Sequence, residues 1–393
     1  MSRKLSIAII GGGIGGLTAG CALKERGFDV NVYEKATELR EVGAGLQLGP
    51  NAVKVLDALG FRDALRAFAC EPPDMVSLEW NDASLRYRQP LGSISEARFG
   101  AKYLTAHRAD LYQLMVDRIG QGSVHLGRSC LEAATVGDVA MARFENGDEV
   151  EADVVIGADG IRSRVREILF DRDKPRFTGQ LGWRAVLPME RVPLVGPNRD
   201  ISLRRDFVGF IGPRGHIIMY PIRGGKLLNV FAGYFLDSWA EESWTVPSSV
   251  ADMTASYAGW SEQLLEMLGG VEQIYKWGLF DRDPLPHWSK GRITLLGDAA
   301  HPMMPTLAQG AAITIEDGYA IARHLDAGAA DPVRALAAYE LERQPRASKV
   351  QLMARQQYIN NKMVPSPPTL SRDWIFIHDA TTGRDWEPAV TTG

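Results

Sequence analysis

The run Gly11-Gly12-Gly13-Ile14-Gly15-Gly16 constrains this chain more than any other feature, because five of its six residues are glycine. Each glycine in a helix interior costs about 1 kcal/mol relative to alanine, so no continuous helix is expected through it. That argues against an export signal, which Arg3 and Lys4, the uncharged run from Leu5 to Leu23 and the segment Leu17-Thr18-Ala19-Gly20-Cys21 would otherwise suggest. Leu5 to Ile10 predicts a strand buried on both faces, Leu17 to Arg26 a helix that Gly27 ends, and Val30 to Tyr33 a second strand finishing in Glu34. Glu34 stands about twenty residues beyond the glycines, the spacing of a dinucleotide fingerprint. In that reading Gly11 makes the tight turn, Gly13 lets a pyrophosphate approach the backbone, and Gly16 brings helix and sheet together, with Gly15 inside the same loop. The helix N-terminus offers unpaired N–H groups to the phosphates, and Glu34 accepts hydrogen bonds from a ribose. The rival is a glycine-rich turn that merely packs helix on sheet. The motif by itself does not separate FAD from NAD.

The segment after Glu34 departs from a simple NAD-binding pattern. The stretch Val42-Gly43-Ala44-Gly45-Leu46-Gln47-Leu48-Gly49-Pro50-Asn51 leads into a helical segment, as a loop lying close to a large flat ligand would. His107-Arg108-Ala109-Asp110 opens another helix. Asp153 to Gly157 followed by Ala158-Asp159-Gly160, and Arg292 to Gly297 followed by Asp298, repeat the pattern of an apolar strand ending in glycine and an acid.

Together the GxGxxG with Glu34, the Asp159-Gly160 motif with Ser163 and Arg166, and the Gly297-Asp298 motif resemble the group A FAD-dependent aromatic hydroxylases, typified by para-hydroxybenzoate and salicylate hydroxylases. The resemblance spans residues 5 to about 350. It implies an α/β fold: a glutathione-reductase-like, Rossmann-type FAD-binding domain formed by residues 1–175 and 276–350, with some substrate-domain segments around 70–105. An inserted antiparallel sheet over 176–275 would bind substrate, and a C-terminal helix and tail would occupy 351–393. The resemblance places Glu34 on the adenosine ribose, Arg108 toward the pyrophosphate, Asp298 on the ribityl chain and phosphates, and Asp159-Gly160 near both FAD and the nicotinamide cofactor. Asp159 and Asp298 could equally be helix caps, and Arg108 could pair with a carboxylate. Gly310 and Ala311 begin a helix whose N-terminus is expected at the flavin pyrimidine edge, where its dipole favours negative charge.

The region from 176 to 275 reads as strands separated by glycine turns at Pro213-Arg214-Gly215 and Arg223-Gly224-Gly225. Alternation along His216 to Pro221 places His216, Ile218 and Tyr220 on one face and Ile217 and Met219 on the other. Two proton-relaying groups on one face are more often structural than catalytic. Similarity to salicylate-type and hydroxynicotinate-type hydroxylases reverses that preference and makes His216 and Tyr220 the catalytic candidates. Gln47 stands where hydroxynicotinate hydroxylases often carry histidine, and it cannot act as a base at pH 7. Gln47, Pro305 and Arg184 are expected beside the substrate; Arg184 or Arg223 could bind a substrate carboxylate, although surface pairing is the commoner role of a single arginine. His301 is expected to position the flavin-side loop, and Trp374 to Asp379 to be a packing anchor.

The activity implied is NADH- or NADPH-consuming hydroxylation of a small aromatic acid with O2, through a C4a-hydroperoxyflavin. Salicylate leads, with 3-hydroxybenzoate, 6-hydroxynicotinate and urate-like rings behind it. A flavin oxidase or disulfide reductase and a flavin-binding redox sensor are the competing classes, and Cys21 lacks the partner a redox pair requires. The three cysteines form no metal motif or disulfide framework, so no metal is expected and a reducing cytoplasm fits best. With 44 basic against 48 acidic residues and no Lys/Arg cluster, nucleic acid is an improbable partner. No other apolar run is long enough for a membrane span. A homodimer is compatible with the composition.

Overall fold

The computed structural model describes residues 4–39, 44–170, 174–193, 202–236, 246–271, 274–363, 367 and 369–387. Val42 and Gly43 of the glycine-rich stretch, and Pro365, Ser366 and Pro368 after the last long helix, lie outside the described residues. The chain forms a mixed α/β fold around two large sheets.

The first sheet has six strands in the spatial order Ser289–Lys290, Ile293–Leu295, Val154–Gly157, Ser6–Ile10, Asp29–Tyr33 and Val124–His125. All neighbours are parallel except the edge pair Ser289–Lys290 with Ile293–Leu295. Covered on both faces, the central strands are continuously apolar, as expected of a parallel sheet. Parallel pairing puts the C-terminal ends of Ser6–Ile10, Val154–Gly157 and Ile293–Leu295 on one side. Three glycine-acid motifs far apart in the chain thereby become adjacent. Helices Ile14–Glu25 and Gly310–Ala327 pack closely together, for a Cβ on Gly318 would lie 2.8 Å from the Ala19 amide nitrogen.

The second sheet has eight strands, ordered Val246–Pro247, Ile274–Asp281, Arg176–Pro188, Leu227–Phe235, Gly215–Ile222, Phe207–Gly212, Asp74–Glu79 and Leu85–Pro90. It is antiparallel except where Phe207–Gly212 runs parallel to Asp74–Glu79. The strand Ile274–Asp281 crosses position 275, so this sheet draws on chain from both sides of the expected boundary. One face, carrying Trp183, Val208, Phe210, Ile217, Met219 and Val230, packs on the helices Val250–Ser256 and Glu262–Gly269 through Met253, Leu264 and Leu268. Burying each such side chain contributes about 1.5–3 kcal/mol. The opposite face turns toward the glycine loops of the first sheet.

The last long helix begins well before residue 351 and spans Pro332–Asn361, because Asp331 caps it and Pro332 takes the first helical position. Beyond it, Phe376 packs edge-on against Phe99 and Tyr103, with ring centroids 5.4 and 5.9 Å apart. The buried Lys54 ammonium donates to the carbonyls of Phe376, Ile377 and His378 at 2.9, 2.9 and 3.1 Å. The segment from Trp374 to Asp379 is thus a packing anchor.

Candidate active site

The glycine loop has the conformation its sequence requires. Gly11 has φ +108°, and a Cβ there would lie 2.4 Å from the Ala158 carbonyl oxygen; one on Gly16 would lie 2.0 Å from that of Gly11. A Cβ on Gly13 would meet nothing within 4 Å, so the backbone there faces open space at the start of the helix Ile14–Glu25. Gly15 serves a contact the sequence reading did not foresee: a Cβ on it would lie 2.5 Å from Thr314 Cγ2 on the helix Gly310–Ala327. Glu34 is tied to the same loop, accepting from the Gly12 amide at 2.7 Å and the Ala36 amide at 2.9 Å. These features fit a dinucleotide pyrophosphate over Gly13 and an adenosine ribose near Glu34.

The second and third motifs meet through Arg166. Asp159 accepts from Ser163 Oγ and from the amides of Arg164 (2.7 Å) and Val165 (3.2 Å), so the expected alternative of a helix cap is realised there. Burial nevertheless raises its carboxyl pKa against those hydrogen bonds. Arg166, itself buried, donates to the carbonyls of Ala299 and Ala300 at 3.3 and 2.9 Å and so fixes the Gly297-Asp298 turn against the Asp159 turn. Asp298 projects into the cavity between the sheets, accessible from inside it yet enclosed by protein. That enclosure raises its pKa, while His301 and Arg108 oppose the rise.

One cavity of about 1040 Å³ runs between the sheets. Gly13, Gly15, Arg108, Asp159, Asp298, Gly310 and Ala311 line its nucleotide side; Gln47, Arg184, His216, Tyr220 and Pro305 line the rest. Gly11, Gly16 and Glu34 support its edge without lining it. Arg223 is elsewhere: it is half exposed and holds Asp110 through two hydrogen bonds of 2.9 and 2.7 Å, the surface pairing that is the commoner role of a single arginine. His301 does not line the cavity; its Nε2 stands 2.5 Å from Asp317 and its ring lies 5.2 Å from Trp288, in keeping with a positioning role.

His216 and Tyr220 share the cavity face of the strand Gly215–Ile222, but four residues at about 3.3 Å each hold their Cα atoms roughly 13 Å apart. They form two separate ends. At one, Tyr103 donates to Gln47 Oε1 at 2.6 Å, Gln47 also acts against the rise in the Tyr220 pKa, and Phe207 stacks on Tyr220 at 5.7 Å. Burial raises both phenol pKa values, against the opposing pull of Arg184 on Tyr220 and of Arg372 on Tyr103. At the other end stands His216, 8% exposed and 5.7 Å from Phe231. Burial alone lowers its pKa to about 4, so the ring is neutral at pH 7.

Several residues of this site escaped the sequence reading. Asn229 accepts from the Gly45 amide at 2.6 Å and locks the glycine-rich strand Gly45–Leu48 to the second sheet. Behind the flavin-side helix, Arg343 bridges Glu316 (2.7 Å) and Asp317 (2.8 Å), and Arg346 and Asn51 also bond Glu316. Adjacent acids inside an apolar helical stretch were a visible signal of such a network; the arginines on the next long helix were not.

Three glycine-acid turns at one end of the first sheet, opening on the cavity beneath the second, together with the relatives named below, place the chain among the flavoprotein aromatic monooxygenases. The chain belongs to the family described as the FAD binding domain, whose model matches residues 4–354. It is 38% identical over 356 residues to 3-amino-4-hydroxybenzoate 2-monooxygenase PtnB3 of Streptomyces platensis, covering 91% of this chain and 88% of that one. It is 35% identical over 393 residues to 6-hydroxynicotinate 3-monooxygenase of Pseudomonas fluorescens, covering 99% of each. A salicylate hydroxylase substrate complex superposes with a TM-score of 0.83 at 25% identity, covering 98% of both chains.

Proposed function

We propose that this chain uses NAD(P)H and O2 to hydroxylate a monocyclic aromatic or N-heteroaromatic acid whose ring hydroxyl and carboxylate lie at opposite ends. The observation that carries this reading is the division of the cavity: cation-influenced Tyr220, Gln47 and Tyr103 at one end, and a neutral histidine at the other. The names of the two relatives describe rings with that para arrangement. A salicylate-like ring, with adjacent groups, ranks behind them on this argument.

Bound FAD supplies the redox chemistry and activates oxygen; the glycine loops, Glu34, Arg108 and Asp298 hold it. The chain's own residues do the rest. Tyr220 and Gln47 hold the carboxylate end, with Arg184 contributing positive potential. His216 accepts the proton of the ring hydroxyl, which makes the ring electron-rich. A phenol of pKa near 10 is almost neutral at pH 7, and each unit of lowering is worth about 1.4 kcal/mol to the anion. The neutral imidazole has a lone pair available, and an anion formed beside it raises its own pKa in turn. Apolar walls and Pro305 keep water from the reacting carbon.

The test is NADH oxidation and oxygen uptake by the FAD-loaded protein with 3-amino-4-hydroxybenzoate, 6-hydroxynicotinate, 3-hydroxybenzoate, salicylate and urate, with products read by mass spectrometry. A para-arranged acid should accelerate NADH oxidation and gain one oxygen atom. H216Q should lower kcat by about a hundredfold or more while FAD content is kept. Acceleration by no aromatic would overturn the reading in favour of an oxidase or sensor; acceleration by salicylate alone would overturn the para assignment.

A further inference from the structure

Resting on that reading, the neutral end of the cavity holds one more side chain with no part yet. Gln180, on the strand Arg176–Pro188, lines the cavity and is 1% exposed, and neither its amide oxygen nor its amide nitrogen has a hydrogen-bond partner among the described residues. Buried polar groups are nearly always paired, so an unpaired amide just behind the cavity wall, in a residue that lines it, points to a partner brought by a ligand. Its neighbour is His216. A Cβ on Gly233, the residue paired with His216 across the sheet, would lie 2.6 Å from Gln180 Nε2 and 2.8 Å from His216 Cε1 and Nε2. Glycine at 233 therefore lets the amide and the imidazole stand side by side over one point of the sheet.

That point is free of formal charge. The charged groups lining the cavity are Lys35, Arg108, Asp159, Arg162, Arg184, Asp298 and Arg372, and none of them acts on His216, whose pKa burial alone displaces. An ionised carboxylate placed there would lack a compensating cation, whereas a neutral hydroxyl that both gives and takes hydrogen bonds matches the pair.

We propose that Gln180 is a catalytic residue that donates an amide hydrogen bond to the oxygen of the substrate's ring hydroxyl while His216 takes its proton. The O–H bond breaks, its electron pair stays on oxygen, and the proton goes to the imidazole nitrogen; nothing is oxidised or reduced in this step. Gln180 holds the anion where it forms, and Gly233 keeps the space that makes this geometry possible.

The test uses the FAD holoenzyme and 4-hydroxy-3-nitrobenzoate, whose phenol changes its visible absorbance on ionising. Flavin difference spectra report binding, and a pH titration reports the apparent pKa of the bound phenol. In Q180L the bound phenol's pKa should rise by about one unit and Kd for the anion should weaken about tenfold, with FAD content unchanged. Q180E, which sets a carboxylate against the anion, should raise the pKa further, and Q180M serves if Q180L fails to hold FAD. Unchanged pKa and Kd in the folded variants would overturn the role of Gln180 while leaving the proposed function standing. No binding of the probe by wild type would overturn both.

Discussion

At the scale of single residues, the site is held open by glycines. A Cβ on Gly45 would lie 2.6 Å from both Tyr220 Cε2 and Asn229 Cγ, so G45A forces two substrate-side groups to move. Overpacking of this kind costs about 1–3 kcal/mol, and KM for the aromatic acid is expected to rise about tenfold while the flavin spectrum is retained. His216 carries a pH signature. Its folded-state pKa, about 4, lies below the unfolded value near 6.5, so the unfolded chain binds the extra proton first and stability falls as pH drops from about 6.5 to 4. The loss approaches about 3 kcal/mol, and H216Q should flatten that window in urea unfolding series. The nucleotide glycines were legible because their function is local and their spacing is short. Gln180 was not, since a lone glutamine in a strand gains meaning only when Gly233 and His216 arrive from other strands. For Arg223 a surface pair was the readier reading, but Asp110, 113 positions away, was invisible as its partner.

At the scale of elements, the helix Gly310–Ala327 is fixed from behind by buried charge. Burial pushes the Glu316 carboxyl pKa up, but Arg346 and Arg343 together outweigh it and hold the group well below the ordinary range. Glu316 therefore stabilises the fold above about pH 4.5, and that contribution is lost as pH falls further, below the window in which His216 begins to act. E316Q leaves Arg343 and Arg346 facing one fewer anion, and a loss of about 3–5 kcal/mol is expected in chemical unfolding. Breaking the exposed Arg62–Asp57 pair, 2.7 Å apart, should cost less than about 1 kcal/mol in the same assay. The glycine turns at 213–215 and 223–225 and the alternation from His216 to Pro221 made part of the second sheet readable, and they delimit Phe207–Gly212, Gly215–Ile222 and Leu227–Phe235. The pairing of Phe207–Gly212 with Asp74–Glu79 was not readable, because strand neighbours far apart in the chain leave no periodic trace.

At the scale of the whole molecule, the cavity is walled by both sheets, so a ligand filling it bonds the two halves together. FAD at a hundred times its Kd should add about 2.7 kcal/mol of stability, seen as a melting temperature that climbs with FAD concentration. G16A, whose new methyl would lie 2.0 Å from the Gly11 carbonyl oxygen, should abolish that climb by removing the binding loop's geometry.

The interleaving of the two sheets also sets an order of events during synthesis. Val154–Gly157 waits for Ile293–Leu295, and Asp74–Glu79 waits for Phe207–Gly212, so neither sheet can close until most of the chain has emerged. Contacts so distant in sequence form slowly and leave strand edges unpaired in the interval. Leu85–Pro90, exposed along its whole length and carrying two arginines and a proline, borders the sheet on that side, and such residues are poor templates for pairing with another chain. The edge that protects the finished enzyme also leaves the ribosome ahead of all of the second sheet but Asp74–Glu79.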